Sequence, residues 1–290
     1  MSRAGSPRPT SDPVDPSRER ALEEALRRSA GELLEGGGDV TVLFSGGVDS
    51  AIVAELARPA DPLLLTIGTD GAPDLSAGRD GAATLGLRHR AIVVPEARVR
   101  EALERWNDVL DRLPGPAVSV LVATAIAAEA APTERVLCGQ GADELFFGYA
   151  HFRGLAGRAL ADRRRDDLAA LRDREWPTAL DVGRRLGRRL GSPFLDPRVI
   201  EAALALPLPD RVAEGTPTKA PLRRIARRVG VPSEIAERPK RAFQYGSGID
   251  RMVRALERSG SRPRAAPAPT SRGSPPPPGG PGAASGRPSQ

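Results

Sequence analysis

The stretch TVLFSGGVDSAIVAEL, Thr41 to Leu56, closes an apolar run on Ser45-Gly46-Gly47 and opens a helical one at Asp49-Ser50. A strand that runs into Ser-Gly-Gly and then into a helix gathers several backbone N–H groups at one point. Glycine lets a ligand approach the backbone without meeting a Cβ, and a helix N-terminus adds the positive end of its dipole. The hydroxyls of Ser45 and Ser50 are further donors. Neither GxxxxGKS/T nor GxGxxG is present. Asp49 would repel a bare phosphate, so a cation must lie between them, and a magnesium ion bridging Asp49 and pyrophosphate meets that need. Out of context, the same residues are also an ordinary Ser-Gly turn before a helix.

Other chemistry-bearing residues are few. Lys219 and Lys240 are the only lysines beside 41 arginines. A compact ammonium does work that a planar guanidinium cannot, so both are candidates, with chance retention on a surface as the alternative. Cys138 is the single cysteine. That excludes an intramolecular disulfide framework and a Cys-rich zinc site, and an inert thiol within an apolar strand is expected. His89 and His151 lack metal-ligand spacing. Asp143-Glu144 reads by itself as the acidic start of a helix near Ala142. Phe146, Phe147 and Tyr149 read as core aromatics, and Asp162–Asp167 (DRRRDD) as a solvated, self-paired helix face.

Short apolar strands alternating with helices must carry these residues. A helix is expected from Asp15-Pro16 to about Leu34, stopped by Gly36-Gly37-Gly38. Strands are expected at VTVLF (40–44), PLLLTIG (62–68), HRAIVV (89–94) and RVLCG (135–139). Helices fall at 51–57, 74–86, 96–110 and 117–131 between them. The pattern predicts an α/β fold, a parallel twisted sheet with helices on both faces, whose ligands bind beyond the carboxyl ends of the strands. From about Gly154 to Leu190, then at 197–207 and 218–230, it predicts a mainly helical second half without strands. The expected division is a loose segment at 1–14, one domain at 15–258 (sheet part about 39–149, helical part about 150–258), and a disordered Pro/Gly/Ser/Arg tail at 259–290.

The net charge is +6, and four of those charges are arginines in the acid-free tail, so the body is nearly balanced. The basic pI is then weak support for a nucleic-acid partner. No apolar run is long enough for a membrane span and no signal-peptide core precedes the first helix, so a cytoplasmic protein is expected.

SGGVDS resembles the SGGxDS pyrophosphatase loop of PP-loop ATP enzymes. VLCGQGADELFFGYAHF (136–152) resembles the SGEGADELFGGY segment of asparagine synthetases, and SPFLDPRVIEAALALP (192–207) resembles their PFLD stretch. KAPLRR (219–224) and ERPKRAFQYGSG (237–248) resemble their late lysine-bearing segments. Order and rough spacing also match, so the chain resembles the synthetase domain of that family, which β-lactam synthetases share. The resemblance implies an adenine nucleotide alpha hydrolase-like fold. It also implies an AMP-forming amide ligase, in which a carboxylate attacks the α-phosphorus of ATP, pyrophosphate leaves, and the acyl-adenylate is aminolysed. Ser45, Gly46, Gly47, Asp49 and Ser50 would hold the pyrophosphate portion. Asp49 and Asp143 would hold magnesium. Ile67 and the backbone near Val42 and Leu43 would meet adenine, and Gly139 would allow close approach to the ribose or α-phosphate. Lys240 would neutralise charge growing on the phosphates, whereas Lys219 is read only as that or a helix anchor.

Two departures qualify the match. About 40 residues precede the loop, too few for the glutaminase domain of the family. The expected nitrogen source is therefore ammonia, another amine, or ammonia from a separate glutaminase partner. Gln140 stands where the family has glutamate, and a neutral amide cannot take a proton from an incoming amine. The carboxylate substrate is accordingly left open. A tRNA- or nucleotide-modifying PP-loop enzyme and a non-catalytic nucleotide-binding protein are the other readings.

Overall fold

The computed structural model describes residues 15–209, 212, 219–238 and 246–259. Lys240, the loose segment expected at 1–14 and the tail beyond Ser259 lie outside the described residues.

Helix α1 (Pro16–Leu34) starts as the sequence predicts: the Asp15 carboxylate accepts the Ser17 N–H at 2.9 Å and Pro16 takes the first helical position. Strands β1 (Val40–Leu43), β2 (Leu63–Gly68), β3 (His89–Val93), β4 (Arg135–Leu137) and β5 (Arg189–Gly191) form one parallel sheet in the order β3-β2-β1-β4-β5. Helix α2 (Val48–Leu56) follows β1 and α3 (Pro73–Leu85) follows β2. Helices α4 (Glu96–Arg105), α5 (Asn107–Leu110) and α6 (Gly115–Ala130) connect β3 to β4. Between β4 and β5 come α7 (Ala142–Leu145), α8 (Gly157–Ala170), a π-helical turn (Leu171–Glu175) and α9 (Trp176–Arg185). Helices α10 (Pro197–Leu204), α11 (Ala220–Val229), α12 (Ser233–Ala236) and α13 (Ile249–Arg258) complete the described chain.

Successive strand side chains point to opposite faces. Val40, Val42, Phe44 and Leu64 therefore join one core with α1, α2, α10 and α11. Leu43, Leu65, Ile67 and Val136 join a second with α4, α6, α9 and α13. Helices cover both faces, which is why these strands read as unbroken apolar runs. A smaller cluster gathers Phe147, Phe152, Leu160 and Val212 beside α8. Among the described residues no helix is long and apolar enough to cross a membrane.

Three expectations are corrected. The second half does contain a strand: β5 pairs with β4 in register Arg135↔Arg189, Val136↔Leu190 and Leu137↔Gly191. It is three residues long with an exposed arginine, too short to show a period, and its neighbour in the sheet makes it a strand. The helix expected over 96–110 breaks at Trp106, whose indole is buried in the second core. The DRRRDD face is not wholly solvated. Arg163 and Arg165 pair with Asp167 and Asp162, but Arg164 turns inward, its guanidinium 5.4 Å from the Phe147 ring centroid.

Gly78 shows how closely α3 lies on the sheet. A Cβ there would sit 2.2 Å from Thr66 Oγ1, and that hydroxyl donates to the Phe44 carbonyl at 2.5 Å and meets His89 Nε2 at 2.9 Å. Alanine is normally about 1 kcal/mol better than glycine within a helix, but here the clash wins. Gly78→Ala should lower stability by about 1–3 kcal/mol, measured as a lower urea midpoint at unchanged slope. Gly31→Ala in α1, where a Cβ meets nothing within 4 Å, should gain up to about 1 kcal/mol in the same assay.

Candidate active site

Strands β1 and β4 are neighbours at the centre of the sheet, and the chain departs from them to opposite sides. That reversal opens a crevice beyond their carboxyl ends. A cavity of about 110 Å³ lies there. Leu43, Ser45, Asp49 and Ser50 line it from the β1 side, and Cys138, Gly139, Gln140 and Asp143 from the β4 side.

The β1 loop is shaped by its own serines. Ser50 Oγ donates to the Gly47 carbonyl at 3.1 Å and accepts the Ser45 N–H at 3.3 Å. No side chain caps the first turn of α2, whose N-cap is Gly47, so that end is built to receive an anion. Gly139 brings the β4 loop against this turn: a Cβ would stand 3.0 Å from Asp49 Cβ and 3.2 Å from the Ser50 nitrogen. The β4 loop is held from the far side by β5, through Cys138 N–H to Gly191 O at 2.9 Å and Ser192 Oγ–H to Gln140 O at 2.6 Å.

Lys219 is the N-cap residue of α11, at φ +66°. Its ammonium is buried and meets Asp49 Oδ2 at 2.6 Å and Asp143 Oδ1 at 2.7 Å. Gly148 makes room for this group, since a Cβ there would lie 1.7 Å from Asp143 Oδ1 and 2.5 Å from Lys219 Cε. Arg238 adds positive charge behind the loop, donating to the carbonyls of Gly46 and Ala77 at 3.2 Å each. The two carboxylates thus stand within reach of one cation and offer hard oxygen donors, which fits magnesium. Among the described residues no group of three or more His, Cys, Asp or Glu side chains could hold a metal. A magnesium ion commonly takes only one or two carboxylates and completes its shell with water and phosphate oxygens.

The far end of the cavity is acidic. Glu144 is buried, and its Oε1 accepts the Tyr149 hydroxyl at 2.8 Å. Burial first, and Asp143 beside it, pushes the Glu144 carboxyl up to about 7. Burial and the Glu144 charge raise the Tyr149 hydroxyl, and burial raises Glu175, which comes in at the end of the π-helical turn. Cys138, expected as a buried strand thiol, instead lies just past β4, half-buried on the cavity wall, where desolvation pushes its thiol up to about 11.

Of the residues singled out from sequence, Leu43, Ser45, Asp49, Ser50, Gly139, Gln140 and Asp143 share the cavity wall. Gly46 and Gly47 belong to the loop, though not to that lining. The side chains of Val42 and Ile67 lie in the two cores. Glu144, Tyr149 and Glu175, to which the sequence assigns structural roles or none, all line the cavity. For the first two the signal was their place within the Val136–Phe152 block. Nothing local marks Glu175. His89 and His151 are partnered, with Thr66 and Asp167.

The chain is similar to known proteins along most of its length. The family model described as asparagine synthase matches residues 21–191 and 187–267. A Methanocaldococcus jannaschii protein carrying the glutamine-hydrolyzing asparagine synthetase name is 29% identical over 277 residues, 80% of this chain and 50% of that protein. Asparagine synthetase B of Escherichia coli is 26% identical over 250 residues, 78% of this chain and 45% of its own. The chain therefore spans half or less of the length of these curated relatives. Solved structures align more loosely. The NH3-dependent NAD synthetase of Campylobacter jejuni covers 85% of each chain at 15% identity and TM-score 0.38, a likeness too loose to argue from.

Cys138 reports on the cavity wall. With its thiol near 11, only about one molecule in a thousand is thiolate at pH 8. Iodoacetamide labelling followed by intact mass should be at least about a hundredfold slower there than for a free thiol, and should climb steeply between pH 9 and 11. Labelling at the free-thiol rate at pH 8 would contradict this account of the wall.

Proposed function

From the premise that the chain belongs to the asparagine synthase family, we propose that it is an ATP-dependent, AMP-forming amide ligase. It adenylates a carboxylate with release of pyrophosphate, then passes the acyl group to ammonia or an amine. The observation that carries this reading is the convergence of Asp49 and Asp143 on the Lys219 ammonium, beside the Ser-Gly-Gly loop and the uncapped start of α2.

The chemistry follows from charge. A carboxylate does not exchange its oxygen for nitrogen at neutral pH, so it must first become an anhydride. Attack of its oxygen on the α-phosphorus forms one P–O bond and breaks the bridging one, and negative charge gathers on the departing diphosphate. Positioning and charge neutralisation are most of the catalysis in such a transfer. The N–H groups of the loop, the Ser45 and Ser50 hydroxyls and the α2 dipole would bind and orient the diphosphate. Asp49 and Asp143 would hold magnesium, which when bound neutralises phosphate oxygens. The Lys219 ammonium supplies positive charge in the same place, and Lys240 is proposed to join it. Gln140 would hydrogen-bond the acyl group without taking a proton from the nitrogen nucleophile. The nitrogen nucleophile would be ammonia or an amine.

The test is exchange of labelled pyrophosphate into ATP over a panel of small carboxylates, aspartate included. Exchange with at least one carboxylate and release of AMP is the expected result; release of ADP alone would refute the reading. Asp49→Asn removes charge without volume and leaves Lys219 paired with Asp143. It should reduce exchange by about a hundredfold or more with a melting temperature within a few degrees of the parent.

A further inference from the structure

We propose that Lys219 is a resident counter-ion standing in the magnesium position of Asp49 and Asp143. Bare magnesium must expel its ammonium to bind there, and nucleotide phosphate lets metal and lysine be held together. That the metal is magnesium rests on the ligase reading above; the placement of the lysine does not.

The Lys219 nitrogen lies 2.6 Å from Asp49 Oδ2 and 2.7 Å from Asp143 Oδ1. Magnesium draws carboxylate oxygens to about 2.0–2.1 Å, so an ion bridging the same two oxygens falls where that nitrogen stands. Charge sorts the occupants as well. The ammonium neutralises only one of the two carboxylates. Magnesium in its place would balance both, whereas the two cations together would leave an excess positive charge. The Lys219 side chain is 0% exposed and those of Asp49 and Asp143 are 12% and 15% exposed, so water does little to compensate such an excess. Phosphate oxygens supply the missing negative charge. With them present, a compact ammonium on a flexible stem can turn from the carboxylates to phosphate and stay in the site.

The chain around Lys219 holds the ammonium in place and registers its loss. The Gly148 backbone lies against the stem, where a Cβ would stand 2.5 Å from Lys219 Cε. Lys219 is at φ +66°, the left-handed region that costs a residue with a side chain, and no side chain caps α11. Its contact with two carboxylates offsets that strain, so release of the ammonium frees the cap to move. The Lys219 carbonyl accepts the Arg223 N–H at 2.9 Å. The Arg223 guanidinium donates to the carbonyls of Ala236 and Arg238, and Arg238 donates to the Gly46 carbonyl in the Ser-Gly-Gly loop at 3.2 Å. Displacement of the ammonium by metal alone is therefore expected to loosen the start of α11 and the loop together. Metal that arrives with nucleotide keeps both in place.

The full chain has two lysines, so carbon-13 labelling of lysine gives two side-chain NMR signals. Lys219→Met keeps the stem, removes the ammonium and identifies one of them. Magnesium chloride without nucleotide is expected to shift the Lys219 signal saturably toward that of a free lysine, with faster amide exchange at 220–223. Magnesium with α,β-methylene-ATP is expected to leave the signal immobile. Manganese, read by electron paramagnetic resonance without nucleotide, should bind Lys219→Met at least tenfold more tightly than the parent. Saturable metal binding to the parent with the Lys219 signal in place overturns the proposal, as does equal or weaker manganese affinity in the variant. If Lys219→Met does not fold, Lys240→Arg identifies the signals, and a Lys219 signal that magnesium never moves overturns the proposal. Pyrophosphate exchange separates the two readings. Exchange with an unmoved lysine keeps the ligase and rejects the counter-ion displacement; displacement without exchange on any carboxylate does the reverse.

Discussion

The Lys219 ammonium, held between Asp49 and Asp143, is the contact on which the arrangement depends. Its two partners come from the first turn of α2 and from α7, the lysine itself caps α11, and it stands 170 positions from Asp49. A buried charge stripped of its partner costs about 3–5 kcal/mol, so none of the three elements can drift from the others cheaply. The group is also a poor device for stability alone, because apolar side chains of similar volume would do as well. A cation between two carboxylates is what the proposed phosphate- and magnesium-handling site would need.

The surrounding chain is arranged to let these charges meet. Gly148 leaves space for the Asp143–Lys219 contact, and Gly139 for the β4 loop against α2. Phe147 adopts φ +59° just before Gly148, a conformation that costs an ordinary residue roughly 1–2 kcal/mol. Burial of its ring against Phe152, with centroids 5.4 Å apart, offsets that cost. Strand β5 contributes little core, yet it fixes the loop that carries Gln140 through Cys138 and Ser192. Arg223, itself buried, donates to the carbonyls of Ala236 and Arg238 and so steadies the chain that carries Arg238 toward Gly46.

Electrostatics divide the cavity in two. At the β1 end the carboxylates are compensated by a lysine at hydrogen-bond distance. At the α7 and α9 end, burial raises Glu144 and Glu175 instead, with no cation among the described lining residues. Carboxyl groups so close together but differently compensated can hold different protonation states at one pH. Such a division suits the proposed ligase, which would gather negative charge on phosphate before it receives a nitrogen group.

Much of this was legible in the residues. Strand-to-helix alternation from Val40 to Leu137 follows from apolar period and from glycine and proline punctuation, which are local properties of the chain. The Ser-Gly-Gly-x-Asp-Ser loop declares its anion chemistry because backbone freedom and donor type are written in the residue names. Asp143 was legible only through its block, since an acidic residue at a helix start is common for structural reasons. What tertiary structure alone decided is which distant residues meet. Three residues at Arg189–Gly191 become a strand only because β4 lies alongside. Lys219, one of two lysines in an arginine-rich chain, becomes the counter-ion of Asp49 and Asp143 only because α11 docks on α2. Glu175 reaches the cavity because the π-helical turn and α9 pack beside α6. Sequence periodicity encodes which face of each element is buried; it does not encode which buried charges will share one small space, and that sharing sets their chemistry.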